Sequence, residues 1–298
     1  MYSVVLDKIG LIRYDHKYIF VSFVIMDGEV RKYGNTPYKV ILVHGGPGGA
    51  GELKPVAVEL GKQFGVIEPF QTKLSITNQV EELKNQIDSN TSLPVILIGW
   101  SWGAWLTYIF ASKYPEYVKK LILVSSGPFE QKYVEVMNKA RMSHLSETEI
   151  QRLKELEEIF KQKDIPGKDN LFEEFGAIYS KADTFESNEE EKPEDKIVPN
   201  MKIYNSIWPE AAKLRESGEL LEIGKNIKCE IVAIHGDYDP HPYLGVKEPL
   251  ERVVKNFRFV LLRQCGHHPW FERHAKKEFY KILSREIYET IQRFTKTK

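Results

Sequence analysis

Five short, almost unbroken apolar runs, Val40–Val43, Val95–Ile98, Leu121–Val124, Ile231–Ile234 and Phe257–Leu262, constrain the fold of this chain more than any other feature. A strand with one wet face alternates apolar and polar residues, whereas a strand buried on both faces does not. Between these runs lie helical spacings: Val80, Leu83 and Ile87, then Leu106, Ile109 and Phe110 before Pro115, and finally Phe279, Ile282, Leu283, Ile287, Ile291 and Phe294. Strand and helix in repeated alternation predict an α/β fold, a mostly parallel sheet flanked by helices on both faces. The first forty residues read instead as strands. Ile19–Ile25 is rich in Val, Ile and Phe, and Asp27-Gly28 is a turn signal, which together predict an antiparallel hairpin at a sheet edge.

The alternation stops between Pro128 and Lys225. Helical segments replace it, the clearest opening with the capping box Ser146-Glu147-Thr148-Glu149 ahead of Ile150, Leu153, Leu156 and Phe160. The expected organisation is a core from 1–127 and 226–298, with 128–225 inserted as a helical cap. The insert carries 22 acidic and 15 basic residues, so the zero net charge of the 298-residue chain divides into an acidic insert and a basic core. Glu186–Asp195 is polar enough to form a solvated loop.

Balanced charge argues against a nucleic-acid binder or a polybasic membrane-surface protein, because both need surplus cations. The two cysteines, Cys229 and Cys265, are too few for a disulfide framework and match no zinc spacing. The first ten residues lack a basic start followed by an apolar run of about 7–15 residues, so no secretory signal is evident and a cytoplasmic location is expected. The uncharged stretch Leu93–Ser112 is broken by Gly99, Ser101 and Gly103, which makes it a strand, a turn and a helix rather than a membrane span.

Gly99-Trp100-Ser101-Trp102-Gly103 fits G-x-S-x-G between a strand and a helix. Such a turn strains the serine backbone and lifts its hydroxyl above the sheet, and the glycines let the chain close around it. Ser101 is therefore the candidate nucleophile. Upstream, strand Val40–Val43 runs into His44-Gly45-Gly46-Pro47-Gly48-Gly49, a loop whose amides can face a developing oxyanion. The N–H groups of Gly46 and Trp102 are the natural pair, and His44 reads as a residue that fixes the loop. No nucleotide-binding glycine motif is present, and neither a metal nor an organic cofactor is implied.

Activating a serine takes an imidazole to accept its proton and a carboxylate to hold the imidazole. The two later strands end in His235-Gly236-Asp237-Tyr238-Asp239-Pro240 and in Cys265-Gly266-His267-His268-Pro269-Trp270. These supply Asp237 or Asp239 and His267 or His268, in the chain order Ser, Asp, His. The motifs HGGPGG, GWSWG, GDYD and GHHPWFE together resemble the α/β-hydrolase fold, and HGGPG with G-x-S-W-G resembles prolyl aminopeptidases and their relatives. The resemblance implies Ser101 as nucleophile, Asp239 as acid and His267 as general base. Where that family has an Asp-Gln-Arg-Gly loop, this chain has Glu68-Pro69-Phe70-Gln71-Thr72, so the likeness speaks to mechanism more than to substrate.

Acyl transfer from a small-molecule or short peptide substrate is the reaction expected. The acidic insert, with Glu173 and Glu174 among Phe172, Phe175, Tyr179, Tyr204 and Trp208, suits a protonated amine, which favours an aminopeptidase or amidase. A carboxylesterase uses the same triad without an amine site. Cleavage of a carbon–carbon bond and a non-catalytic small-ligand binder are further readings on this fold. Trp100, Trp102, Trp105 and Trp270 either line the pocket or pack the top of the sheet.

Overall fold

The structure, a computed structural model, describes residues 25–27, 30–160, 168–187 and 200–295. The expected strand Ile19–Ile25 and its Asp27-Gly28 turn lie outside the described residues except at Ile25 and Asp27, and so does most of the polar stretch Glu186–Asp195.

Strands β1 (Ile25–Asp27), β2 (Val30–Tyr33) and β3 (Tyr38–Val43) are followed by α1 (Lys54–Gly61), β4 (Gly65–Pro69), α2 (Ile76–Asn90), β5 (Val95–Trp100), α3 (Trp102–Lys113) and β6 (Val118–Val124). Among the described residues the helices α4 (Val134–Ser143), α5 (Glu147–Phe160), α6 (Lys168–Ala182), α7 (Met201–Glu216) and α8 (Glu219–Glu222) come next. The chain then closes with β7 (Glu230–Gly236), α9 (Leu244–Val253), β8 (Phe257–Leu262) and α10 (Lys276–Thr295). The strands form one sheet in the order β1-β2-β4-β3-β5-β6-β7-β8, parallel from β4 to β8 and antiparallel at the β1 and β2 edge.

The unbroken apolar runs have a direct cause. Ile41, Val43, Val95, Leu97, Leu121 and Leu123 pack into a core on one face of the sheet, with α2, α3 and α9. Their neighbours Val40, Leu42, Ile96, Ile98, Ile122 and Val124 pack into a second core on the other face, with α1 and α10. Side chains still alternate, but in these central strands both destinations are dry; β8, expected to be buried on both faces, lies at the sheet edge and is only half-buried except at Leu262. Helix α3 is buried on nearly every side, including Ala104, Leu106, Tyr108, Phe110 and Ala111, which accounts for the uncharged stretch around it. Among the described residues no helix is long and apolar enough to cross a membrane.

In the α4–α8 region the capping box forms: the Ser146 N–H donates to Glu149 Oε2 at 2.9 Å, and the Glu149 N–H to Ser146 Oγ at 3.4 Å. Helix α7 is capped by Asn200, whose Oδ1 accepts from the N–H groups of Lys202 and Ile203 at 3.1 and 3.3 Å. The Asn200 N–H donates to the Gly48 carbonyl at 3.0 Å, which ties the start of α7 to the glycine loop after β3.

Candidate active site

Ser101 sits between β5 and α3 with φ 54° and ψ −116°, a left-side conformation that a residue with a Cβ adopts only under constraint. The constraint is visible in its neighbours. Its N–H donates to the Val124 carbonyl at the end of β6, at 3.0 Å. A Cβ on Gly99 would lie 2.2 Å from the Gly103 carbonyl oxygen, and one on Gly103 would lie 2.2 Å from that of Val43. Both motif glycines are thus required by backbone closing on backbone.

The loop after β3 lies directly against this turn. A Cβ on Gly45 would meet the Trp100 ring at 2.5 Å and the Ser101 Cβ at 3.1 Å. Gly46 has φ +31°, and its carbonyl accepts from the Gly49 N–H at 2.7 Å. Trp102 opens α3, where first-turn amides have no intrahelical acceptor. Gln71 fastens loop and turn together: its Nε2 donates to the His44 carbonyl at 3.1 Å, and its Oε1 accepts from the Trp102 indole N–H at 2.8 Å. His44 is wholly buried, its Nδ1 2.8 Å from the Gly45 carbonyl and its Nε2 accepting the Gln71 N–H at 3.3 Å. Burial pushes its imidazole down to about 4.

The structure brings Asp239 and His267, rather than Asp237 and His268, to Ser101. His267 Nε2 is 3.0 Å from Ser101 Oγ, and its Nδ1 is 2.8 Å from Asp239 Oδ2. An ionised carboxylate only accepts, so Nδ1 carries the proton and Nε2 offers its lone pair to the serine hydroxyl. The His267 backbone is held on both sides: its N–H donates to the Asp183 carbonyl at 2.7 Å, and its carbonyl accepts from the Trp100 indole at 2.9 Å. Glu272, fully buried six residues after Gly266, accepts from the Gly266 N–H at 2.8 Å and from those of Phe185 and Glu186 at 2.9 Å each. It joins the histidine loop to the segment after α6.

Burial alone would raise the Asp239 carboxyl, but the imidazoles of His267, His241 and His235 around it hold it well below the usual carboxylate range. Asp239 Oδ1 accepts from both the backbone N–H and Nδ1 of His241, at 2.9 and 2.8 Å. The His241 ring stacks on that of His267 with centroids 4.4 Å apart. Asp239, His241 and His267 are a group of ligand type within 4.8 Å of one another. Both Nδ1 protons point at the one carboxylate, however, so neither imidazole has a lone pair there for a metal.

Asp237 turns away. Its Oδ1 accepts from the Cys265 N–H at 3.3 Å, and its Oδ2 is 3.6 Å from Arg263. His268 packs on Trp100 at 4.9 Å, and burial, aided by His267, lowers its imidazole to about 3. The four tryptophans are all buried; Trp100 meets Trp270 edge-on at 5.0 Å, and Trp102 packs against Trp105 and Trp208. They pack the top of the sheet and the start of α3.

Of the expected amine-binding carboxylates, Glu174 already has a partner. Glu174 takes a two-pronged hydrogen bond from Arg152, 2.7 Å to each oxygen, on the half-exposed surface between α5 and α6. The side chains of Phe172 and Glu173 lie outside the described residues. Arg141 of α4 reaches the centre, its Nη2 3.4 Å from His241 Nε2 and its guanidinium paired with the Asp183 carboxylate at 2.7 and 3.0 Å. Reasoning from sequence missed His241, Arg141, Asp183 and Gln71, none of which belongs to a recognisable spacing.

Among curated protein sequences none matches this chain. Among solved structures it is similar to VinJ, at 17% identity and TM-score 0.66 over 91% of this chain and 99% of that one. It is also similar to a putative lipase from Acinetobacter baumannii AYE, at 19% identity and TM-score 0.57 over 89% of this chain and 91% of that one. A third is the meta-cleavage product hydrolase from Pseudomonas fluorescens IP01, at 17% and 0.56 over 89% and 95%. These identities speak to the fold alone. The family model described as alpha/beta hydrolase fold matches residues 71–273, more than half of the sequence and inclusive of the serine turn and the histidine loop. The chain belongs to the α/β-hydrolase fold family.

Proposed function

We propose that this hydrolase is a serine esterase that cleaves small-molecule esters through an acyl-enzyme, with Ser101 as nucleophile, His267 as general base and Asp239 as the orienting acid. The observation that carries the reading is the continuous hydrogen-bonded line from Ser101 Oγ through His267 to Asp239, at 3.0 and 2.8 Å. His267 Nε2 takes the serine proton as Oγ attacks the ester carbonyl. The Gly46 and Trp102 amides receive the oxyanion of the tetrahedral adduct. His267 then returns the proton to the departing alcohol, and water repeats the sequence on the acyl-enzyme. Residues 128–225 act as a helical cap on a core formed by 1–127 and 226–298.

An ester fits better than the amine-bearing peptide expected from the acidic insert. Glu174, one of the carboxylates expected to hold that amine, is instead satisfied by Arg152 on the half-exposed surface between α5 and α6. A carboxylate already engaged by a two-pronged guanidinium has less to offer a protonated amine, whereas a neutral ester needs no such partner.

Hydrolysis of a short-chain aryl ester and of a proline anilide by the wild type, Ser101→Ala and Glu174→Gln tests this. Ester cleavage is expected to fall by about 10⁴-fold or more in Ser101→Ala and to be unchanged in Glu174→Gln. Preferential anilide cleavage that Glu174→Gln abolishes would overturn the ester reading, and activity retained by Ser101→Ala would overturn the triad.

A further inference from the structure

Arg141 touches neither Ser101 nor any atom of the proposed reaction, yet it is linked to the catalytic imidazole by two separate paths. On the first, its Nε and Nη2 donate to the Asp183 carboxylate at 2.7 and 3.0 Å, and the Asp183 carbonyl accepts the His267 backbone N–H at 2.7 Å. On the second, its Nη2 is 3.4 Å from His241 Nε2, while His241 Nδ1 donates to Asp239 Oδ1 at 2.8 Å and Asp239 Oδ2 accepts from His267 Nδ1 at 2.8 Å. Because His241 Nδ1 bears a proton toward Asp239, its Nε2 is left as an acceptor, the partner a guanidinium requires. Arg141, Asp183, His267, Asp239 and His241 thus close a ring. The guanidinium is nearly buried, its side chain 12% exposed, and lies over the Tyr179 ring at 5.0 Å.

From this ring we infer that Arg141 is a positioning residue, which fixes the catalytic imidazole from behind by holding its main chain through Asp183 and its carboxylate partner through His241. The inference rests on the triad reading above. A ring of this kind costs three ordered side chains and a buried ion pair, which does little for stability against an apolar alternative and much for geometry. It also makes the catalytic geometry depend on the docking of α4 and of the C-terminal end of α6, both of which lie between β6 and β7.

The test uses the full chain and a short-chain aryl ester. In Arg141→Gln, kcat is expected to fall tenfold to a hundredfold, about the effect of losing a charge-assisted hydrogen bond, with KM unchanged. His241→Asn keeps a donor near Asp239 but cannot reach Arg141, and it should lose kcat in the same sense by a smaller factor. Because both substitutions cut one ring, adding His241→Asn to Arg141→Gln should cost nothing further. Millimolar guanidinium should restore part of the kcat of Arg141→Ala.

A rise in KM at constant kcat would make Arg141 a substrate contact and overturn the inference, as would unchanged kinetics or strictly additive losses. If Arg141→Gln does not fold, as judged by circular dichroism, Arg141→Lys and His241→Asn decide it: Lys can pair with Asp183 but cannot span both partners, and full activity in both variants refutes the ring. Ser101→Ala separates the two levels of failure. Activity surviving there would remove the triad itself, whereas an inactive Ser101→Ala beside a fully active Arg141→Gln would remove only the ring.

Discussion

Substituting Ser101 by glycine should leave a more stable protein than substituting it by alanine, the reverse of the ordinary order. Both variants lose the hydroxyl and its 3.0 Å hydrogen bond to His267, so that contribution cancels. What remains is the cost of a Cβ at φ 54° and ψ −116° set against the greater unfolded-state entropy of glycine. A residue held in such a region costs about 1–3 kcal/mol, and glycine in place of alanine costs about 0.5–1 kcal/mol through the unfolded chain. The difference favours glycine by about 1 kcal/mol, or about 2 °C in unfolding midpoint for a chain of this size. Urea titration of Ser101→Ala and Ser101→Gly, with both inactive on the aryl ester, reads it directly. A glycine variant less stable than the alanine variant by the usual amount would show that the turn carries no strain and that the motif glycines are not enforcing it.

Two further outcomes follow from the surroundings of the same turn. Gly103→Ala places a Cβ 2.2 Å from the Val43 oxygen and 2.5 Å from that of His44, both backbone atoms; denaturant unfolding should show a loss of about 3 kcal/mol or more, and near-wild-type stability would refute the close approach. Beneath the glycine loop, burial pushes the Glu52 carboxyl from its ordinary 4.5 up to about 8, with the Glu68 carboxylate adding to the effect, and Glu52 Oε2 is sealed from solvent without a hydrogen-bond partner. A carboxyl raised in the folded state keeps its proton where the unfolded chain has lost its own, so its contribution to stability is present below pH 4.5 and is lost as pH rises to about 8. Glu52→Gln should flatten that slope, gaining on the wild type at pH 8 but not at pH 4.5; parallel stability curves for the two proteins would count against a neutral Glu52.

The parts of this fold legible in the sequence are those in which one segment determines its own environment. Runs such as Val95–Ile98 announce strands buried on both faces, because neither Leu97 nor Ile98 has a wet side to go to. The serine turn is legible for a similar reason: glycines at 99 and 103 are demanded by contacts within or beside the turn itself. The choice between Asp237 and Asp239 is a matter of where the β7 ladder ends. The Asp237 N–H still donates to the Leu262 carbonyl at 2.9 Å, so Asp237 is fixed at the strand end, while Asp239, two residues on, is free to turn toward His267. The acidic count of the insert does not locate its carboxylates for the opposite reason, since composition does not reveal that Glu174 and Arg152 find each other between α5 and α6.

What the sequence hides are partnerships across long separations, and they decide the electrostatics of the centre. A buried carboxylate is costly unless donors replace the water it loses, and Asp239 collects its donors from the His241 backbone and ring and from His267. Burial keeps His241 neutral, its imidazole lowered to about 4 despite the adjacent carboxylate, so it donates a hydrogen bond without contributing a full positive charge. That distinction matters in the proposed reaction. Had Asp239 been stabilised by a lysine or arginine in direct contact, its charge would be spent in the ground state, and little would remain to stabilise the imidazolium that forms when His267 takes the serine proton. A neutral imidazole satisfies the carboxylate and leaves its charge available, while the nearby guanidinium of Arg141 is itself paired with Asp183 and is joined to Asp239 through His241.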